Sequence, residues 1–390
     1  MAIGEEIAVD VDRVVETFFQ LVAVNAPSRH ERPMAEDLVP RLQELGFQIR
    51  FDNAGEKLGG DCGNLIARLD GTDEDLPGLF FSTHMDTVLS TNGVRPVVRD
   101  GVVYSDGTTI LGADDRAALT AYLEGLRVVR NNDLPHGPIE LLLTVCEQPG
   151  LLGAGAMDYS LVTTRHGFVF DSSGDVGQII CRGPYSSRVH WEVIGRSAHL
   201  GLTPEEGINA IQIAGEAVAG MTLARVSETT VANVGVIHGG ELASVVPDRV
   251  TMIGEARSYD AHDLEAQIER MQAEVSRAAG RRGGEVRSKV EPKYSGYSFS
   301  RDDLIIGIAE RAAKRIGVQP YFTDTLGGGD TNVFLTHGLN VVTLGNGFRD
   351  IHSFREHISI ENLVNATRYV IALVAEFGAS APGDGAIAMQ

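Results

Sequence analysis

Two kinds of hydrophobic pattern alternate along this chain. Residues 11–24 and 34–45 place apolar side chains at helical spacing and predict amphipathic helices, while 47–51 and 64–69 predict strands. Residues 79–83 form a short apolar run of the kind seen in strands buried on both faces, and that run meets His84. Leu119, Tyr122, Leu123 and Leu126 follow the i, i+3, i+4, i+7 spacing, so a helix follows Asp114-Asp115. Runs 139–145 and 167–170 predict two more buried strands, which lead to Glu147 and Asp171. Buried strands alternating with helices imply an α/β domain with a largely parallel sheet.

The pattern changes near Gly183. Val189, Trp191 and Val193 alternate with polar residues, as in a strand with one wet face. A helix over 208–221, strands over 230–238 and 249–257, a helix carried by Leu264, Ile268, Met271 and Val275, and a strand over 285–290 follow. The order β-α-β-β-α-β is the split βαβ, ferredoxin-like unit, a small α+β sandwich. From about Ser298 the α/β pattern resumes, with a helix over 304–316, a strand over 320–323, an apolar run over 340–344 and a helix over 360–377. The expected organisation is thus a discontinuous catalytic domain, 1–184 and 298–378, interrupted by an α+β domain over 185–297. The Ala/Gly-rich tail 379–390 is expected to be disordered.

Composition narrows the function classes. A length of 390 residues suits two or three domains rather than one core. A net charge of −20 argues against a nucleic-acid partner, because phosphate binding needs clustered Lys and Arg. Three cysteines, Cys62, Cys146 and Cys181, with no C-x-x-C spacing point to a reducing, cytoplasmic compartment rather than a disulfide framework. Residues 1–12 are acidic and lack the apolar stretch of a secretory signal, and no run is long enough for a transmembrane helix. No membrane association is therefore expected.

The chemistry concentrates in five short stretches: His84-Met85-Asp86, Asp114-Asp115, Glu147-Gln148, Asp171 and His352. Imidazole and carboxylate groups are the ligands zinc takes. In open α/β sheets ligands gather beyond the carboxyl ends of strands, which brings His84, Glu147 and Asp171 together despite their separation. Taken singly, each has a plain alternative. Asp114 at a helix start can be an N-cap, and His352 in a polar loop can be an ordinary exposed histidine.

In this order the stretches resemble the cocatalytic zinc exopeptidases of the peptidase T (tripeptide aminopeptidase), glutamate carboxypeptidase and aminoacylase family, peptidase T-like members most of all. The segments carrying the likeness include Ser82-Thr83-His84-Met85-Asp86-Thr87, Gly112-Ala113-Asp114-Asp115 and Cys146-Glu147-Gln148-Pro149-Gly150. Phe170-Asp171, Ser197-Ala198-His199, Gly327-Gly328-Gly329-Asp330-Thr331-Asn332 and Ile351-His352-Ser353 continue it over nearly the whole chain. The inserted domain fits that family's lid or dimerisation domain, through which a homodimer would form.

The resemblance implies a role at each matching position. His84 and Asp171 would bind one zinc, His352 the other, and Asp114 both. Asp86 would orient the His84 imidazole, and Glu147 would be the general base that takes a proton from water. His199 would polarise the scissile carbonyl or its oxyanion. Arg257 would grip a substrate carboxylate with its guanidinium fork, and Asn332 would contact substrate. The glycine loop lacks the Gly-Lys-Ser/Thr ending of a phosphate cradle and suits close approach to a substrate instead. One position departs from the family: Gln148 stands where the second zinc takes a carboxylate, and an amide carbonyl coordinates more weakly. The cofactor implied is one or two Zn²⁺ per chain, with Mn²⁺ or Co²⁺ as substitutes. Three functions stay open: an aminopeptidase on small peptides, a carboxypeptidase or N-acyl-amino-acid amidohydrolase, and a weakened homologue that binds peptides or metabolites.

Overall fold

The structure, a computed structural model, describes residues 8–380. The tail expected to be disordered lies, from residue 381 on, outside the described residues. The chain divides into two compact units. Of the described residues, one comprises 8–181, 299–324 and 329–380, the other 182–298 and 325–328.

In chain order the elements that matter here are α1 (Val11–Val22), α2 (Arg32–Glu44), β1 (Gln48–Phe51), β2 (Leu65–Leu69), β3 (Leu79–His84), α3 (Ala113–Asn131), β4 (Ile139–Thr144), β5 (His166–Phe170) and β6 (Gln178–Gly183). The second unit contributes β7 (Tyr185–Ile194), α4 (Ala210–Gly220), β8 (Thr230–Gly239), β9 (Arg249–Ser258), α5 (Ala261–Arg282) and β10 (Glu285–Tyr294). The first resumes with α6 (Leu304–Arg315), α7 (Asp330–Thr336), β11 (Asn340–Leu344) and α8 (Ile360–Gly378).

The large sheet of the first unit runs β1-β2-β4-β3-β5-β11-β6. Its four central strands β4, β3, β5 and β11 are parallel, and the flanks are antiparallel, so the sheet is mixed. Parallel strands buried on both faces must be apolar throughout, and β3 and β4 are buried at every position. Helix α3 is buried along nearly its whole length and packs against α1, α8 and β3. Asp10 caps α1 and Ser359 caps α8, each side chain accepting a backbone N–H of the first turn.

Several elements were not visible in the hydrophobic pattern. Val97–Arg99, Val102–Tyr104, Phe348–Arg349 and His357–Ser359 form a separate small antiparallel sheet. Each has only two or three residues, too few to show a period. Helix α2 starts two residues before the periodic stretch, because Pro33 is tolerated in a first turn where its missing N–H has no intrahelical partner anyway.

The second unit has the β-α-β-β-α-β order, and its antiparallel sheet runs β8-β9-β7-β10. Val189, Trp191, Val193, Val250, Met252 and Ala256 are buried with residues of α4 and α5, and the alternate positions face outward. Asn209 and Asp260 cap the two helices. Among the described residues no helix is long and apolar enough to cross a membrane.

Candidate metal centre

Parallel pairing sets the level of the candidate groups. Ser82 pairs with Val169 and His84 with Thr144, so His84 and Asp171 come level at the ends of β3 and β5, with Glu147 just past β4. Beneath them Tyr122 of α3 ties the strands together. Its hydroxyl donates to the Ser82 carbonyl (2.7 Å) and accepts the Phe170 N–H (3.1 Å). Its ring packs on Phe81 and Phe170, with centroids 5.3 and 5.5 Å away.

Asp114 lies at the start of α3 but does not cap it. Its φ/ψ of −86°/97° is not helical, and the Asp114–Asp115 peptide is cis. Its carboxylate instead lies between two histidines. Oδ1 is 3.0 Å from His84 Nε2, and Oδ2 is 3.3 Å from His352 Nε2. Asp171 Oδ1 is 4.0 Å from His84 Nε2, and ligand atoms of His84, Asp114 and Asp171 lie within 4.8 Å of one another. Gln148 joins the His352 side, its Nε2 donating to Asp114 Oδ2 at 3.1 Å. His352 reaches in from a half-exposed turn, with φ +60°.

Asp86 links the parts. Its carbonyl accepts His84 Nδ1–H at 2.9 Å, and its carboxylate lies 3.4 Å from the same nitrogen. The carboxylate also accepts the Glu147 and Gln148 N–H groups (3.0 and 3.2 Å) and the Ser28 hydroxyl (2.5 Å). With Nδ1–H held there, Nε2 is the nitrogen that faces Asp114 and Asp171; without an ion it carries a proton toward Asp114, and giving up that proton frees its lone pair for a cation.

The electrostatics are those of crowded acids. Burial, and to a lesser degree Asp330, Asp86 and Asp114, hold Glu147 well above the usual carboxylate range, against the pull of His84. Burial and Glu147 do the same to Asp171. Burial works against a charge on His84, but its bonds to Asp114 and Asp86 outweigh it and raise its pKa. Asp114 goes the other way: burial opposes its charge, yet His352 and His84 hold it well below the ordinary value. Imidazole and carboxylate groups converging on a buried carboxylate with one histidine at each oxygen fit a pair of borderline-soft dications.

Sequence reasoning missed Glu356 and gave Asp115 and Asp330, though it named both, no role of their own. Glu356 is buried and accepts the Gly112 and Asp114 N–H groups (2.7 and 2.9 Å), fixing the loop that presents Asp114. Asp115 faces a network of its own, accepting Thr83 Oγ1 at 2.5 Å and Asn346 Nδ2 at 2.7 Å. Asp330 accepts Thr144 Oγ1 at 2.6 Å and leaves Oδ1 without a partner. The only sequence signal for Glu356 is its place four residues after His352.

The other candidates are placed as follows. Asn332 accepts the Gly329 N–H at 3.2 Å at the start of α7. His199 belongs to the second unit, is exposed, and accepts the Gly201 N–H at 3.1 Å. Arg257, near the end of β9 in the same unit, donates to Glu255 (2.9 Å) and to the Leu326 carbonyl (3.2 Å). In the glycine loop, Gly328 is needed for a reason within the protein: a Cβ there would stand 2.2 Å from the Tyr294 hydroxyl.

Comparison with known proteins shows the family. The family described as peptidase family M20/M25/M40 matches residues 80–376. The uncharacterized Bacillus subtilis protein YqjE is 39% identical over 368 residues, covering 94% of this chain and 99% of that one. Two crystal structures are similar throughout. Aminopeptidase PepT from Bacillus cereus has 37% identity and a TM-score of 0.84, and a tripeptidase from Staphylococcus aureus has 34% and 0.88. Each covers 95% of this chain and 99% of the other.

Proposed function

This chain belongs to peptidase family M20/M25/M40, and from that premise we propose that it is a metal-dependent aminopeptidase acting on small peptides. The observation that supports this most is the Asp114 carboxylate, with His84 at one oxygen and His352 at the other. Similarity to an aminopeptidase and a tripeptidase supports the substrate class.

In this reading His84 and Asp171 would hold one ion and His352 the other, with Gln148 able to add its amide oxygen only after the amide turns over, and the Asp114 carboxylate would serve both. Bound there, Zn²⁺, or Mn²⁺ or Co²⁺ in its place, supplies Lewis acidity to the scissile carbonyl and to water. Asp86 keeps the His84 ring in one tautomer and orientation. Glu147 takes the proton of the attacking water and passes it to the leaving amine. Burial and neighbouring carboxylates raise its proton affinity, the direction a general base needs. His199 as donor to the oxyanion, and Arg257 and Asn332 as substrate contacts, complete the proposal.

Gln148 makes the two ions unequal. Two dications bring four positive charges against the two carboxylates Asp114 and Asp171, and the third acid expected at position 148 is missing. The ion next to His352 is therefore the weaker one, since buried charge without compensation is costly.

Hydrolysis of a panel of tripeptides with free or blocked N-termini, with added Zn²⁺, Mn²⁺ or Co²⁺, tests the proposal. Turnover of free tripeptides that disappears with chelator supports it. Turnover of blocked substrates alone assigns the chain to deacylation instead, and equal rates for wild type and Glu147→Gln remove Glu147 as the base.

A further inference from the structure

The first unit contains a second group of ligand-type side chains, separate in composition from the one around Asp114. Glu31 precedes α2 and is fully buried, yet its side chain does not cap that helix. One oxygen is well used: Oε1 accepts the N–H of Arg29 at 2.8 Å, the N–H of Cys146 at 3.0 Å and the Cys146 thiol at 3.5 Å. The other, Oε2, is buried and has no hydrogen-bond partner. A buried carboxylate oxygen left without a donor is expensive, more so than a neutral acceptor.

Two further groups lie beside it. Ligand atoms of Glu31, Asp61 and Cys62 are all within 4.8 Å of one another. The loops that carry them are joined, since Asp61 N–H donates to the Arg29 carbonyl (3.1 Å) and Arg32 N–H to Asp61 Oδ1 (3.0 Å). Cys62 is a free thiol and stands in the wall of an open cavity of about 400 Å³, with Arg32, Val39 and Phe51. The Cys62 thiol is therefore reachable from outside, with the buried Glu31 behind it.

We propose that Glu31, Asp61 and Cys62 form a binding site for a thiophilic divalent cation of the zinc type. A thiolate with two carboxylates suits a borderline-soft dication and disfavours Mg²⁺ and Ca²⁺, which take oxygen ligands. A tetrahedral zinc sets such atoms roughly 3.5 Å apart, so small side-chain rotations close the set. On coordination the Cys62 thiol releases its proton to solvent, and the new S–metal bond takes its electron pair. The bare Oε2 supplies the buried ligand and a water completes the shell. Glu31 also holds the Cys146 N–H, one residue before Glu147. An ion at Oε2 thus engages the same carboxylate that fixes the turn leading to Glu147.

The test needs no peptide substrate and does not depend on the proposed activity. Metal-free full-length protein is titrated with Co²⁺ while the thiolate-to-cobalt charge-transfer absorption is followed. His84, Asp114, Asp171, His352 and Gln148 offer no sulfur, so cobalt bound by them is silent in that band. The band is expected in wild type and in Cys181→Ser, absent in Cys62→Ser, and shifted to at least about tenfold higher Co²⁺ in Glu31→Gln. Asp61→Asn, read beside its circular dichroism, gives the same shift if Glu31→Gln folds poorly. No band in wild type, or a band unchanged by Cys62→Ser, overturns the site.

Discussion

Strand β4 carries a buried glutamate near each end, and the two live in opposite environments. Glu140, at its start, accepts the Thr163 N–H (3.0 Å) and hydroxyl (2.6 Å) and the Thr164 N–H (2.9 Å) and hydroxyl (2.7 Å). Burial opposes its charge, but these bonds prevail and hold its pKa below the ordinary value. Glu147, just past the other end, is surrounded by other acids, and burial with their repulsion drives its pKa well up. The same side chain is thus held charged at the start of the strand and pushed towards its protonated form just past its end, where Glu147 is the proposed base. Burial alone does not distinguish the two; what each oxygen faces does.

Four substitutions or conditions would break or sharpen this contrast. Glu147→Gln has the largest effect: kcat on a tripeptide falls by about 10²–10⁴-fold, while the thermal midpoint of metal-free protein holds or rises because a repelled charge is gone. A fall in stability with kcat intact would reverse the assignment. Glu140→Gln gives the mirror image. Its amide sets a donor against donors, costing about 2–3 kcal/mol in urea unfolding, with kcat/KM of the folded fraction unchanged. Gln148→Glu supplies the missing carboxylate, and the weaker ion gains at least about tenfold in affinity, measured by chelator competition.

The smallest effect is in pH dependence. Burial, with the Asp114 charge adding, pushes Asp115 and Glu356 up to about 7. The folded metal-free protein therefore keeps protons there that the unfolded chain, with ordinary carboxylates, has released. Their contribution to stability is complete below the ordinary carboxylate pKa of about 4, is lost as pH rises from there through about 7, and changes no further above that. Glu140 has the opposite sign. Its contribution is complete above the ordinary carboxylate pKa of about 4.3 and is lost as pH falls below it. Urea midpoints across pH 3–8 for metal-free wild type and Glu140→Gln separate the two limbs; a metal-free profile flat from about pH 5 to 7 would contradict the first.

The two glutamates also mark what a sequence shows and what it hides. Glu147, His84 and Asp171 are legible because each follows an apolar run, and a polar group at a buried strand end stands out. Glu140 sits inside its run, where the pattern reports only a strand. Its partners Thr163 and Thr164 lie on a distant connection, and no period encodes a contact between segments. Glu356 and Glu31 are hidden for the same reason: each is defined by the backbone N–H groups it accepts from far along the chain. The mixed edges of the large sheet were equally invisible, because strand direction is set by which distant segment pairs with which, and no period along the chain encodes that. In the second unit one sheet face is wet, so alternation reported the strands directly.

The position of β11 bears on how this molecule is made. It fills the slot between β5 and β6, yet residues 184–339 are translated between those strands and it. At ordinary ribosomal rates of about 5–20 residues per second, the slot stays open for roughly 10–30 s. Through that interval the nascent chain carries a bare hydrogen-bonding edge on β5, the strand that ends at Asp171, and His352 emerges only afterwards. The centre around Asp114 is complete only once His352 has been made, so the proposed ions cannot be a nucleus around which the earlier strands fold.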